Sequence, residues 1–114
     1  MKLFQPIFAL SFLLFITACQ PEDKGNMSAE FKVWGNCDMC KATIEKSLSQ
    51  EAAIKQAAWD VKSKMMTVNY DSASINVNEI HKRIASSGYD TELVKGDDKA
   101  YSELHQCCKY KRKE

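Results

Sequence analysis

The chain has 114 residues, with 16 lysines and arginines against 15 aspartates and glutamates, a formal charge of +1. A near-neutral balance without a basic stripe leaves no electrostatic footprint for nucleic acid, so no nucleic-acid partner is expected. Five cysteines in so short a chain point instead to thiol chemistry, whether disulfide, redox or metal ligation.

Lys2 opens a short positive region, and Ile7 to Ile16 is apolar except for Ser11. That stretch is too short to span a bilayer of about 30 Å as a helix and reads as the core of a signal peptide. It ends Ile16-Thr17-Ala18-Cys19, which resembles a bacterial lipobox. Residues 1–18 are therefore expected to be a lipoprotein signal peptide, with Cys19 the lipidated N-terminus. An ordinary signal peptide with a chance cysteine, or a short uncleaved anchor, are the alternatives. The expected location is lipid-anchored and extracytoplasmic, on the periplasmic side of a bacterial membrane. Cleavage before Cys19 removes one lysine and leaves a formally neutral chain. Residues 19–27 are polar and turn-rich and read as a tether. About 70 residues and a tail remain, enough for one small domain with a thin core.

Within residues 28–95, Ala29 to Trp34 alternates as a strand, with Phe31 and Val33 on one face. Asp38 is placed to cap a helix in which Cys40, Ile44 and Leu48 recur every four residues. Gln56 to Val61, carrying Trp59 and Val61, and the alternating Met66, Val68 and Tyr70 form a hairpin around Lys62-Ser63. Val77, Ile80 and Ile84 are spaced for a second helix ending near Gly88, with His81 on its solvent face. Thr91 to Val94 is a short final strand. The order predicts an α+β, ferredoxin-like βαββαβ sandwich.

Cys37-Asp38-Met39-Cys40 falls between the first strand and the first helix. With this element order and Ser87-Gly88-Tyr89-Asp90 before the last strand, the chain resembles the heavy-metal-associated domains of copper chaperones, copper ATPases and mercury-binding periplasmic proteins. The resemblance covers Phe31 to about Val94. It implies Cys37 and Cys40 as ligands that pass an ion through a shared three-coordinate intermediate. It also implies that Tyr89 shields the site, although a plain apolar cap on the sheet end fits equally. The family's usual methionine before the first cysteine is replaced by Gly35, so the loop is either tighter or floored by another apolar group.

The residues themselves carry the metal preference. Two thiolates with no nearby histidine or carboxylate ligand make a soft, low-coordinate site that favours Cu(I), with Hg(II), Cd(II) or Zn(II) using the same donors. A structural zinc site wants four ligands. Cys40 begins the helix, where the dipole favours anionic sulfur, and Cys37 lies in the looser loop. Met39 is either a weak thioether ligand or an exposed apolar contact.

Residues 96–114 form a second cysteine-bearing segment. Tyr101 and Leu104 share one face of a short docked helix, and His105-Gln106-Cys107-Cys108 follows. The last four residues are charged and expected to fray. The connecting length lets the tail return over the loop. Cys107, Cys108 or His105 then join the site, or a tail-to-loop disulfide gates it, or the tail stays mobile.

The expected function is membrane-tethered binding of a soft metal, most favourably Cu(I), for transfer to a metal transporter or cuproprotein or for sequestration. Two alternatives differ in kind. A thiol–disulfide oxidoreductase also places C-x-x-C at a strand-to-helix junction, but its fold carries a cis-proline, and here the prolines are Pro6 and Pro21. A structural lipoprotein would use the cysteines as staples, though a Cys37–Cys40 loop gains little from closure. No catalytic triad, carboxylate pair or phosphate loop is visible, and no enzymatic activity is expected.

Overall fold

The computed structural model describes residues 25–114; the expected signal peptide, Cys19 and most of the expected tether lie outside them. Strand β1 (Asn26–Lys32) is followed by helix α1 (Asp38–Lys46), the hairpin β2 (Ile54–Trp59) and β3 (Met65–Asp71), and helix α2 (Val77–Ser86). Helix α3 (Asp98–Ser102) and a 3₁₀ turn (Gln106–Cys108) complete the chain. The strands form one antiparallel sheet in the order β1-β3-β2.

Alternation in β3 decides which face is covered. Met66, Val68 and Tyr70 are buried while their neighbours are half-exposed, as a two-residue period requires. Met66 stands opposite Phe31 on one side and Trp59 on the other, and Val68 opposite Ala29 and Ala57. The buried rows thus pair large with large and flank Val68 with small residues. Ile44 from α1, Leu48 from the turn after it, and Ile80 and Ile84 from α2 close over this face with no exposed area. Each such side chain contributes roughly 1.5–3 kcal/mol through burial. Asn76 starts α2 by accepting the Glu79 N–H at 2.9 Å, a cap that satisfies one of the free donors of the first turn. The hairpin turns on Asp60, whose Oδ1 accepts from Lys62 N and Ser63 N at 2.9 and 2.7 Å.

The α+β class and the ferredoxin-like plan hold, with four differences from the sequence reading. First, Asn26 and Met27, assigned to the tether, pair with Asp71 and Tyr70 in β1. Second, Thr91 to Val94 is not a strand. One bridge, Val33 to Thr91, survives, and the Thr91 hydroxyl draws the next residues into a turn by accepting from Leu93 N and Val94 N at 3.3 and 3.0 Å. Such a side chain offers the backbone an alternative to the ladder, and Leu93 is left 60% exposed. Third, His81 is buried rather than solvent-facing. Its ring lies 3.9 Å from that of Phe31, and Nδ1 meets Thr91 Oγ1 at 2.6 Å. Burial, opposed by Glu92 and aided by Lys113, lowers its pKa and favours the neutral ring. Fourth, the last residues are pinned. Arg112 pairs with Asp90 at 2.8 Å and also with Asp98, and Lys113 N donates to Asp90 Oδ2 at 2.9 Å.

Candidate metal centre

Between β1 and α1 the chain crosses the end of the sheet, and both loop cysteines are set by how the helix begins. Cys37, not Asp38, is the N-cap, with an extended backbone at φ −154° and ψ 176°. Asp38 is instead the first helical residue, where its charge suits the helix dipole. The Cys37 sulfur therefore stands at the open N-terminus. The backbone N–H of Cys40, against some opposition from burial and helped by the Cys40 thiol and the N–H of Met39, holds the Cys37 thiol below its usual value. It does so without a full capping hydrogen bond. The sequence reading had assigned this helix-terminus effect to Cys40. That residue lies one turn further in, has no exposed area, and directs its thiol to Asn36 Oδ1 at 3.0 Å. The two sulfurs are 3.6 Å apart.

Trp59 resolves the question raised by Gly35. A Cβ on Gly35 would stand 2.9 and 3.0 Å from Cη2 and Cζ2 of Trp59, and 3.3 Å from Cys40 Cβ. The indole thus fills the space under the loop. It is 1% exposed, and its N–H is shared between Val33 O and Lys64 O at 3.1 and 3.2 Å. Its role was missed in the sequence, although a loop glycine in place of a methionine and a tryptophan at a strand end were both visible.

The tail supplies the third thiol. The 3₁₀ turn closes with Cys108 N on His105 O at 2.8 Å and aims Cys108 at the loop. The sulfurs of Cys37, Cys40 and Cys108 all lie within 4.8 Å of one another. Cys108 is 2% exposed. That burial, reinforced by the Cys107 and Cys40 thiols, pushes its pKa up to about 12. With metal–sulfur bonds of about 2.3 Å, as in zinc thiolates, sulfurs around a trigonal ion stand about 4 Å apart. The three sulfurs, all within 4.8 Å of one another, are close enough to share such an ion. His105 is exposed and stands outside this group. Cys107 is exposed too; its thiol turns away to Met39 Sδ at 3.3 Å.

Tyrosines hold the tail in place. Tyr110, missed in the sequence, donates its hydroxyl to Gly88 O at 2.6 Å and accepts from Asp90 N at 2.8 Å. Its ring stacks on Tyr89 at 5.3 Å and meets Tyr101 edge-on at 5.2 Å. Gly88, at φ +101°, lets α3 approach: a Cβ there would come within 2.8 Å of Tyr101 N. Tyr89 itself is fully buried, and its hydroxyl has no hydrogen-bond partner among the described residues. Burial first, then the Cys40 and Cys108 thiols beside it, raise its pKa. A neutral thiol is a weak acceptor for this buried donor, and an ionised sulfur is a stronger one.

Residues 36–90 match the model of the heavy-metal-associated domain. The chain is 26% identical, over 57 residues, to the copper chaperone CopZ of Staphylococcus haemolyticus, covering 50% of this chain and 84% of that protein. It is also 26% identical over 80 residues to the cation-transporting ATPase HMA5 of Oryza sativa subsp. japonica, covering 69% of this chain but spanning only 8% of the ATPase. Among solved structures it is similar to the N-terminal domain of a potential copper-translocating P-type ATPase from Bacillus subtilis in the Cu(I)-loaded state. That likeness has a TM-score of 0.56 at 26% identity and covers 64% of this chain and 92% of the domain. In sequence over residues 36–90 and in fold, this chain therefore resembles heavy-metal-associated domains, and its converging cysteines stand in the matching loop and in the tail beyond it.

Proposed function

We propose that this domain binds Cu(I) through Cys37, Cys40 and Cys108 and passes it to a metal transporter or cuproprotein, or sequesters it, while held outside the cytoplasm by a lipid on Cys19. The observation that carries the reading is the convergence of three thiols within 4.8 Å at the end of the sheet. Soft donors without oxygen ligands favour Cu(I) over hard cations, and Hg(II), Cd(II) or Zn(II) are the competitors for the same sulfurs. The similar chaperone is a copper chaperone and the similar ATPase domain is in a Cu(I)-loaded state, which supports the choice of ion. The lipobox-like Ile16-Thr17-Ala18-Cys19 supports the anchor.

The geometry suggests how the ion is held and released. Cys37 is half-exposed at a helix N-terminus and is the thiol an incoming partner meets first. Cys40 and Cys108 are buried and hold the ion while Cys37 exchanges. Tyr89 donates to the sulfurs once they are ionised, so it favours the loaded state over the empty one. Every step is an exchange of sulfur ligands on a cation of constant charge.

The test is an anaerobic Cu(I) titration of the reduced protein against a competing chelator. Cys37→Ser/Cys40→Ser is expected to abolish tight binding, and Cys108→Ser to weaken it roughly tenfold or more. Tight binding retained by the double variant would refute the metal-loop reading.

A further inference from the structure

A second set of sulfurs adjoins the first. Cys107 is exposed and Met39 is 46% exposed, yet their sulfurs meet at 3.3 Å across a separation of 68 residues. Cys107 Sγ also lies 3.8 Å from Cys108 Sγ. Cys108 therefore belongs to two clusters: a sheltered one with Cys37 and Cys40, and an open one with Cys107 and Met39. The Cys107 carbonyl reaches toward Cys37 Sγ at 3.6 Å, so the clusters are contiguous.

We propose that Cys107, Met39 and Cys108 form an outer soft-cation site, sharing the Cys108 sulfur with the inner site, through which Cu(I) enters and leaves. The proposal rests on the reading of the inner thiols as a Cu(I) centre. A thiol and a thioether are both soft donors that suit Cu(I), and a neutral thioether holds the ion less firmly than a thiolate does. Cys107 and Met39 are open to solvent, whereas Cys40 and the shared Cys108 are buried. The two sites thus differ as an exchange station differs from a store.

Loading and passage balance without any redox partner. Copper stays monovalent, and each thiol that binds it releases its proton to solvent. As the ion moves inward, bonds to Cys37 and Cys40 form with loss of their protons, those to Met39 and Cys107 break, Cys107 takes a proton back from solvent, and the Cys108–copper bond persists. With both sites filled, Cys108 bridges two ions.

The test counts copper on the reduced full chain after dialysis against Cu(I) buffered by a chelator, with X-ray absorption at the copper edge. Wild type is expected to hold two ions and to show copper–copper scattering. Cys107→Ser is expected to hold one ion, and Met39→Leu to need roughly tenfold more free copper for its second. One ion on wild type, two on Cys107→Ser, or an unchanged second affinity in Met39→Leu would overturn the outer site. No copper on wild type would overturn the inner-site reading, and the outer site with it.

Discussion

The Tyr89 hydroxyl shows at the residue scale how the metal-free fold is kept short of its best state. A buried donor without a partner costs about 1–3 kcal/mol, and its neighbours here are thiols that become strong acceptors only as anions. Tyr89→Phe removes the penalty in the empty protein and the hydrogen bond in the loaded one. The variant is expected to raise metal-free stability by about 1 kcal/mol in urea unfolding while weakening Cu(I) binding in chelator competition. Movement of both quantities in the same direction would contradict this role. The close approach of the Cys37 and Cys40 sulfurs, 3.6 Å apart, was legible from their spacing at a strand-to-helix junction. His81 was not. Its place beside Ile80, four residues after Val77 and three before Ile84, gave no sign of its partner, Thr91, ten residues further on in a turn.

At the scale of elements, hydrophobic alternation placed three strands and two helices to within a few residues, since each buries one face against the same core. It failed at Thr91–Val94, where a hydroxyl competing for backbone N–H groups outweighed a short alternating pattern. It was also silent on the loop floor, because the contact of Gly35 with Trp59 joins residues 24 apart. That contact makes the metal loop sensitive to one methyl group. Gly35→Ala forces a Cβ to 2.9 Å from the indole, and an overpacked site of this kind costs about 1–3 kcal/mol. Chemical denaturation is expected to show that loss, whereas an alanine tolerated within 0.5 kcal/mol or so would mean that the loop does not rest on Trp59.

For the whole molecule, the decisive feature is that the tail is built into the domain. Its length allowed a return over the loop, but the anchors that make it return, Tyr110 and Arg112, carry no sequence pattern of their own. Arg112 is the larger of the two electrostatically. Burial alone would raise the Asp90 pKa; the Arg112 guanidinium, with the N–H groups of Lys113 and Gly96, outweighs it and holds the carboxyl below its ordinary range. A group with a depressed folded pKa adds stability above its unfolded value of about 3.9 and loses it as pH falls through the folded value. Arg112→Ala is expected to cost about 3 kcal/mol at pH 7, the low end for a broken buried pair because two N–H donors remain. The gap between wild type and variant should close below about pH 4, as followed by urea unfolding across pH. A gap independent of pH would mean that Arg112 acts by packing rather than by charge.

Because the same strap carries Cys108, the domain's stability and its metal site are coupled through residues 105–113. The central claim is that the ion has three sulfur ligands, one of them from this strap. X-ray absorption on the reduced protein with one equivalent of Cu(I) counts them directly. Three sulfur neighbours in wild type and two in Cys108→Ser are the predicted result; two in both would contradict it.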